Sequence, residues 1–385
     1  MYWIAHLDGG PCRVNHTAVV VGDFIYSFGG YCSSDEYKLN HTIDVHVLNT
    51  HNLRWFLIPP KRDSTGALLE YPAVPFQRYG HSAVAYKQKV YMWGGRNDEM
   101  CCSILFCFDT ITHQWSKPEV NGEIPAVRDG HTACIVDHNM YIFGGFEEQA
   151  NRFSCDVHCL NLETMTWSYL STTEQPPSYR DFHTATVLDN KMYIFGGRGD
   201  RHSPFHTQEE IYCDQLVYLD LSTRKWTKPN ATGSVPLGRR SHSAFVYNKQ
   251  LYVFGGYNSI MEKHFNDLYC YNPSLNRWSV VTARGVPPRP RRRQVCLVID
   301  KRMYLFGGTS PYAVPIHSSN RQNLPLLLDY SDIHVFDFEP TLKTLAIRAV
   351  LDYEIDQSLL PQCIRSEIRS MTMSNTISRP LNSTG

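Results

Sequence analysis

The chain has 385 residues and no apolar run that approaches the roughly 18 residues of a membrane-spanning helix. Its opening, MYWIAHLDGGPCRVNH, lacks the apolar centre of a secretory signal, so export is not expected. Neither charge sign is in excess: 37 basic residues balance 37 acidic ones. A neutral surface is not the footprint of a nucleic-acid binder, and no direct nucleic-acid partner is expected. No two cysteines stand as C-x-x-C, and neither Cys101–Cys102 nor the Cys155/Cys159 pair has a matching second half. Zinc and other metals are therefore not expected, nor is a cofactor. In a chain that stays inside the cell, the 12 cysteines read as reduced thiols. The Asn-x-Ser/Thr triplets at Asn15, Asn40, Asn230 and Asn382 then carry no weight. A nucleophile elbow and a phosphate loop are missing too, so catalytic residues are not expected and the chain reads as a non-enzyme.

What the chain does have is repetition. Residues 128–145, RDGHTACIVDHNMYIFGG, read as a strand, a turn and a second strand that ends in two glycines. Related text ends in glycine pairs at Gly29–Gly30, Gly94–Gly95, Gly196–Gly197, Gly255–Gly256 and Gly307–Gly308. The first strand opens with His16, His81, His131, His183, His242 or Gln294, three residues after Arg13, Arg78, Arg128, Arg180, Arg239 or Arg291. A short alternating strand follows each glycine pair. A fourth is marked by Trp55, Trp115, Trp167, Trp226 and Trp278. The sixth copy has no such tryptophan, but Trp3 precedes the first copy, where a preceding blade's fourth strand would lie.

Four antiparallel strands repeated about every 50 residues describe the blade of a β-propeller, and this signature resembles kelch repeats. The reading is all-β: a closed six-bladed kelch β-propeller with a short C-terminal α-helical segment. The N-terminal strand closes the last blade, which removes open sheet edges. The propeller is expected over residues 1–339, a helical box over 340–373 and a flexible tail over 374–385. Inserts at residues 59–77, 198–214 and 309–330 depart from the repeat, and the latter two should share one face of the ring.

Residues that recur in all blades are read as structural; residues that vary at one register are more informative. Just before each first strand stand Val14-Asn15, Tyr79-Gly80, Asp129-Gly130, Asp181-Phe182, Arg240-Ser241 and Arg292-Arg293. In a propeller these positions ring the mouth of the central channel. Blades three and four supply acids; blades five and six supply arginines. Two arginines beside a serine suit a carboxylate, because guanidinium offers paired donors. The acids could hold a cation, or they could pair with the arginines across the channel. Arg96, Asn97, Arg198, Tyr257, Asn258 and Ser310, which follow the glycine pairs, should border the same mouth.

Beyond the propeller, Leu342, Leu345, Ala346, Ala349 and Val350 recur at helical spacing, as do Ile364 and Ile368 after Leu360-Pro361. Leu342, Ala346 and Val350 resemble an Elongin-binding box, with alanine where cysteine is commoner. Leu360, Pro361, Ile364 and Ile368 resemble a cullin-2 box. With these boxes the chain is similar to kelch-repeat substrate receptors of cullin-2 RING ubiquitin ligases. That resemblance implies Elongin B/C and cullin-2 as partners, and recognition of protein C-termini that end in glycine, often after arginine or lysine. It also implies a cytoplasmic and nuclear location. Arg240, Ser241, Arg292 and Arg293 would then take the terminal carboxylate. Asp129 and Asp181 would take the basic side chain, with Tyr79, Arg198, Tyr257, Asn258 and Ser310 around them. A kelch scaffold without a ligase, such as a chromatin- or actin-associated adaptor, is the alternative.

Overall fold

The computed structural model describes residues 1–33, 41–312 and 327–379. Asn40, Asn382 and Gly385 lie outside the described residues. Six antiparallel sheets follow one another around a ring. Blade three is representative: Thr132–Val136, Asn139–Phe143, Val157–Asn161 and Thr166–Tyr169 pair in chain order from the channel outward. Blade six is made from both ends of the propeller. Tyr2–Leu7 pairs with Ile333–Asp337, and Trp3 faces Phe336. The six inner strands touch in succession, and the last touches the first, so the ring is closed.

The recurring residues hold this geometry. Large apolar side chains fill the spaces between blades; Trp55, Trp93, Trp167 and Trp278 are at most 1% exposed. Full burial of such a side chain stabilises by about 2–3 kcal/mol, before the entropy of ordering it is subtracted. Five of the six recurring arginines are buried and pin their own blade's glycine pair: Arg128 donates to the Gly144 carbonyl at 3.1 Å, Arg239 to Gly255 at 3.0 Å and Arg291 to Gly307 at 3.1 Å, with Arg78 and Arg180 alike, whereas Arg13 is partly exposed and bonds Asp44. The first-strand histidines lie over the first glycine of the preceding blade. Gln294 takes this place in blade six, where a Cβ on Gly255 would stand 2.9 Å from its side-chain nitrogen. Burial and a nearby arginine push His131 and His242 down to about 3, so both rings are neutral packing groups. None of the 12 cysteines forms a disulfide.

The 198–214 insert forms a hairpin, Arg198–Asp200 with Glu210–Tyr212, on the glycine-pair side of blade four. Thr309–Pro311 pairs with Leu327–Asp329 in blade six. Past the propeller come helix α1, Leu342–Asp352, capped by the Thr341 hydroxyl, and helix α2, Gln362–Thr372. Lys343 and Glu367 join them at 2.5 Å.

The tail departs from expectation. Residues 374–379 are docked on blade one. Asn375 is buried and donates its N–H to the Asp8 carbonyl at 2.7 Å, and Ser378 lies parallel to Phe56. The edge of blade one offers unpaired backbone groups, which outweighs the polar composition that suggested a free tail.

Candidate functional site: the mouth of the channel

The two residues before each first strand have separate tasks. The first of each pair forms an antiparallel bridge with the residue after the glycine pair: Tyr79 with Arg96, Asp129 with Phe146, Asp181 with Arg198, Arg240 with Tyr257, Arg292 with Thr309. The second joins a closed ring of backbone hydrogen bonds. Gly80 N–H donates to Asn15, Gly130 to Gly80, Phe182 to Gly130, Ser241 to Phe182, Arg293 to Ser241, and Asn15 back to Arg293, at 2.8–3.3 Å. All six have positive φ, between 49° and 66°. For Asn15, Phe182, Ser241 and Arg293 this is a strained conformation, and the hydrogen bonds of the closed ring hold it. The ring is the floor of the mouth. Below it the histidines line an inner channel of about 160 Å³.

Above the floor, a cavity of about 320 Å³ is lined by Arg293, Tyr31, Tyr79, Asn97, Asp98 and Phe182. Arg293 bonds the Tyr31 hydroxyl. The Tyr79 hydroxyl donates to Asp98 at 3.4 Å. The Arg292 guanidinium lies 4.5 Å from the centre of the Tyr257 ring. Burial, with the charges of Arg293 and Arg240, pulls Arg292 down to about 10. Arg292 and Arg293 each keep a buried Nε with no hydrogen-bond partner among the described residues.

The acids sit differently from the sequence expectation. Asp181 is fully buried and closed off by Arg198 of its own blade, whose Nε donates to it at 3.0 Å. Asp181 is therefore not open to a ligand's basic side chain. Arg240 pairs with Glu210 at 3.2 Å, not with an aspartate across the channel. Glu210 also sits 3.4 Å from Arg198 and accepts from the Tyr212 and Ser259 hydroxyls, each at 2.6 Å. Burial pushes the Glu210 carboxyl up, but these hydroxyls and both arginines outweigh it and bring it down to about 2. Sequence reasoning missed Glu210; its only signal was a place in the blade-four insert. Among the described residues, Asp129 Oδ1 has no hydrogen-bond partner. Burial and the charge of Asp181 raise it to about 7, against Arg96 and Arg198.

Two further expectations fail. Ser310 bonds the Tyr330 hydroxyl at 2.6 Å and lines a separate groove with His264 and Arg289. Asn258 staples its own loop: its amide donates to Gly238 at 2.8 Å and its Oδ1 accepts from Met261. Ser241 contributes its N–H to the floor, and Asn97 lines the cavity.

The helical boxes divide. Leu342 is 84% exposed and Ala346 is exposed, whereas Val350 is half-buried against the propeller. In the second box Pro361 is exposed, and Leu360 and Ile364 are partly covered. Ile368, at 3% exposure, is part of the core beneath α2. Its side chain docks the helix on the blades and is not on the open surface. Helical spacing marks a shared face but not what covers it.

A family model for the KLHDC2/KLHL20/DRC7 Kelch-repeats domain matches residues 80–308. The chain belongs to the kelch-repeat family. Among kelch proteins it is similar to Kelch domain-containing protein 3 of Rattus norvegicus, at 49% identity, with 98% of each chain covered. The Homo sapiens protein of that name is 48% identical over the same share. Host cell factor 2 of Homo sapiens is 30% identical over 62% of this chain and 31% of its own.

Proposed function

We propose that this kelch propeller is the substrate-recognition subunit of a cullin-2 RING ubiquitin ligase, and that it binds protein C-termini ending in glycine. It performs no catalysis itself. One observation carries the reading. Arg292 and Arg293 are held together in the mouth, largely desolvated, with Arg240 nearby and no carboxylate of their own among the described residues. Such a cluster is stabilised by an incoming anion, and a terminal carboxylate matches paired guanidinium donors. A basic residue before the glycine would meet Asp129, whose Oδ1 is unpaired among the described residues. Glycine specificity follows where the floor leaves no space for a Cβ. The open face of α1, with Leu342 and Ala346, would dock Elongin B/C, and the Leu360-Pro361 corner would meet cullin-2. Such a ligase would act in cytoplasm and nucleus.

The test is titration with a peptide ending in Arg-Gly and with its C-terminal amide. Saturable binding that is lost on amidation supports carboxylate capture; equal affinity overturns it. A scaffold without a ligase is favoured by the burial of Ile368, which withdraws one box residue from the surface. Absence of Elongin B/C from the purified protein would decide for that reading.

A further inference from the structure

Five of the six blades have their outer strand covered by an extended segment of this chain that runs parallel to it. In blade three, Asn121 donates to the Met165 carbonyl at 3.0 Å and Glu123 to Trp167 at 2.9 Å. In blade five, Thr232 donates to Asn276 at 2.9 Å and Ser234 to Trp278 at 3.1 Å. Thr173 takes this part in blade four and Arg284 in blade six, each bridging the residue before the tryptophan; in blade one Ser378, from the C-terminal tail, lies parallel to Phe56, the residue after Trp55. The covering residue is followed by a left-handed one in four cases: Gly122, Gly233 and Gly285 at φ 84–86°, and Glu174 at 62°. A Cβ on Gly285 would stand 2.5 Å from the Trp3 carbonyl oxygen, so close approach selects glycine there.

Blade two differs. Its outer strand, Gln114–Ser116, pairs inward with Phe106–Asp109. Among the described residues, no backbone group outside the blade bonds the Trp115 N–H or carbonyl. The connector that should lie there carries the 59–77 insert and folds on itself instead. Arg62 bridges to Leu68, Leu69 donates to the Lys61 carbonyl at 2.9 Å, and Asp63 gathers the backbone of Thr65 and Ala67. The connector's side chains lie near this strand: Lys61 Nζ is 3.5 Å from the carbonyl of Thr112, in the turn before it, and Pro59, Pro60 and Leu69 line a small pocket with Trp115. Trp115 is half-buried, whereas the corresponding Trp3, Trp55, Trp167, Trp226 and Trp278 are at most 6% exposed.

We propose that the outer edge of blade two is a docking site for an extended, glycine-bearing segment of another protein, added as a parallel fifth strand. An unpaired edge is a template for strand addition, and a peptide seated on it gains main-chain hydrogen bonds. The occupant's shape is specified by the covers of blades three and five. It runs parallel, donates two N–H groups spaced two residues apart, and turns at a glycine beside the Trp115 carbonyl. The site is independent of the mouth and lies at the ring's perimeter.

The test uses the full chain and, as probe, a fluorescent peptide with the blade-five cover sequence, KPNATGSVPL. Before peptide is added, the Trp115 amide should exchange with deuterium at least tenfold faster than that of Trp226, which donates to Thr173 at 3.0 Å. Peptide should bind saturably and slow that exchange. N-methylation of the peptide at its threonine and serine nitrogens should weaken binding by at least about tenfold. Replacing residues 62–68 of the chain with NATGSVP should cover the edge from within and abolish binding. A Trp115 amide already protected in the protein alone overturns the proposal. So does absent binding, equal binding of the methylated peptide, or dimerisation of the chain through this edge. If the graft variant does not fold, the methylated peptide and the exchange measurement still decide.

Discussion

Gly196 lies so close to His242 of the next blade that a Cβ on the glycine would stand 2.6 Å from ring carbon Cε1. The same imidazole has its Nε2 2.9 Å from the Thr184 hydroxyl of blade four. One residue pair thus joins the glycine turn of one blade to the inner strand of the next, and its equivalents recur around the ring.

Gly196→Ala is therefore expected to destabilise the fold by about 2–4 kcal/mol, from overpacking against His242 and the Arg239 carbonyl together with an unfavourable φ of 64°. Chemical denaturation measures this. Adding His242→Ala should recover part of the loss, and a fully additive double variant would argue against direct contact.

Leu342→Ser and Ile368→Ala should separate partner binding from stability. Leu342 is almost fully exposed, so the serine variant should change folding stability by no more than about 0.5 kcal/mol. On the proposed function it should lose roughly thirtyfold in Elongin B/C affinity, as expected for a leucine hot spot. Ile368→Ala should instead cost about 2–4 kcal/mol of stability through the cavity it leaves. Normal co-purification of Elongin B/C with the serine variant would remove the box assignment.

Asp129 should impose a pH dependence of known sign. Its folded value, about 7, is above its ordinary 3.8. Between those values the folded protein keeps a proton that the unfolded chain has lost, so this group's contribution to stability falls as pH rises through the window and is level above it. Asp129→Asn should remove that slope and gain on the native protein when urea midpoints at about pH 5 and about pH 8 are compared. A parallel slope in both proteins would place the titration elsewhere. On the proposed function, affinity for an Arg-Gly peptide over an Ala-Gly peptide should rise through the same window.

Glu210→Gln should strengthen anion binding in the mouth. Arg240 shares this carboxylate with Arg198, and Arg198 keeps Asp181 when it is lost. Releasing the charge of Arg240 should raise affinity for a carboxylate-ended peptide by roughly threefold to tenfold at low salt. Weaker binding would mean that Glu210 serves by holding Arg240 in position.

Truncation after Met373 should destabilise blade one by about 1–3 kcal/mol. It removes the Ser378 carbonyl that accepts from Leu57 at 2.9 Å, and Asn375, whose N–H bonds Asp8. Unchanged stability would show that the tail contributes nothing to the closed ring.

The amino-acid sequence by itself determined the blades. Strand period, glycine pairs, histidines and tryptophans recur at one register, and each is a local demand of backbone conformation or close packing. It also determined that charge is polarised around the mouth, because pairs such as Asp181-Phe182 and Arg292-Arg293 occupy one register of a repeating unit. Only the tertiary structure decided which charges cancel. Asp181 is taken by Arg198 and Arg240 by Glu210, and ion pairing depends on distances between loops whose course no period specifies. Ile368 shows the same limit, since amphipathic spacing identifies an apolar face and the blades beneath it determine that this face is covered. The outer edge of blade two, uncovered among the described residues, was equally illegible. A strand's text is the same whether or not its outer backbone finds a partner, and here the chain that would have covered it folds back on itself.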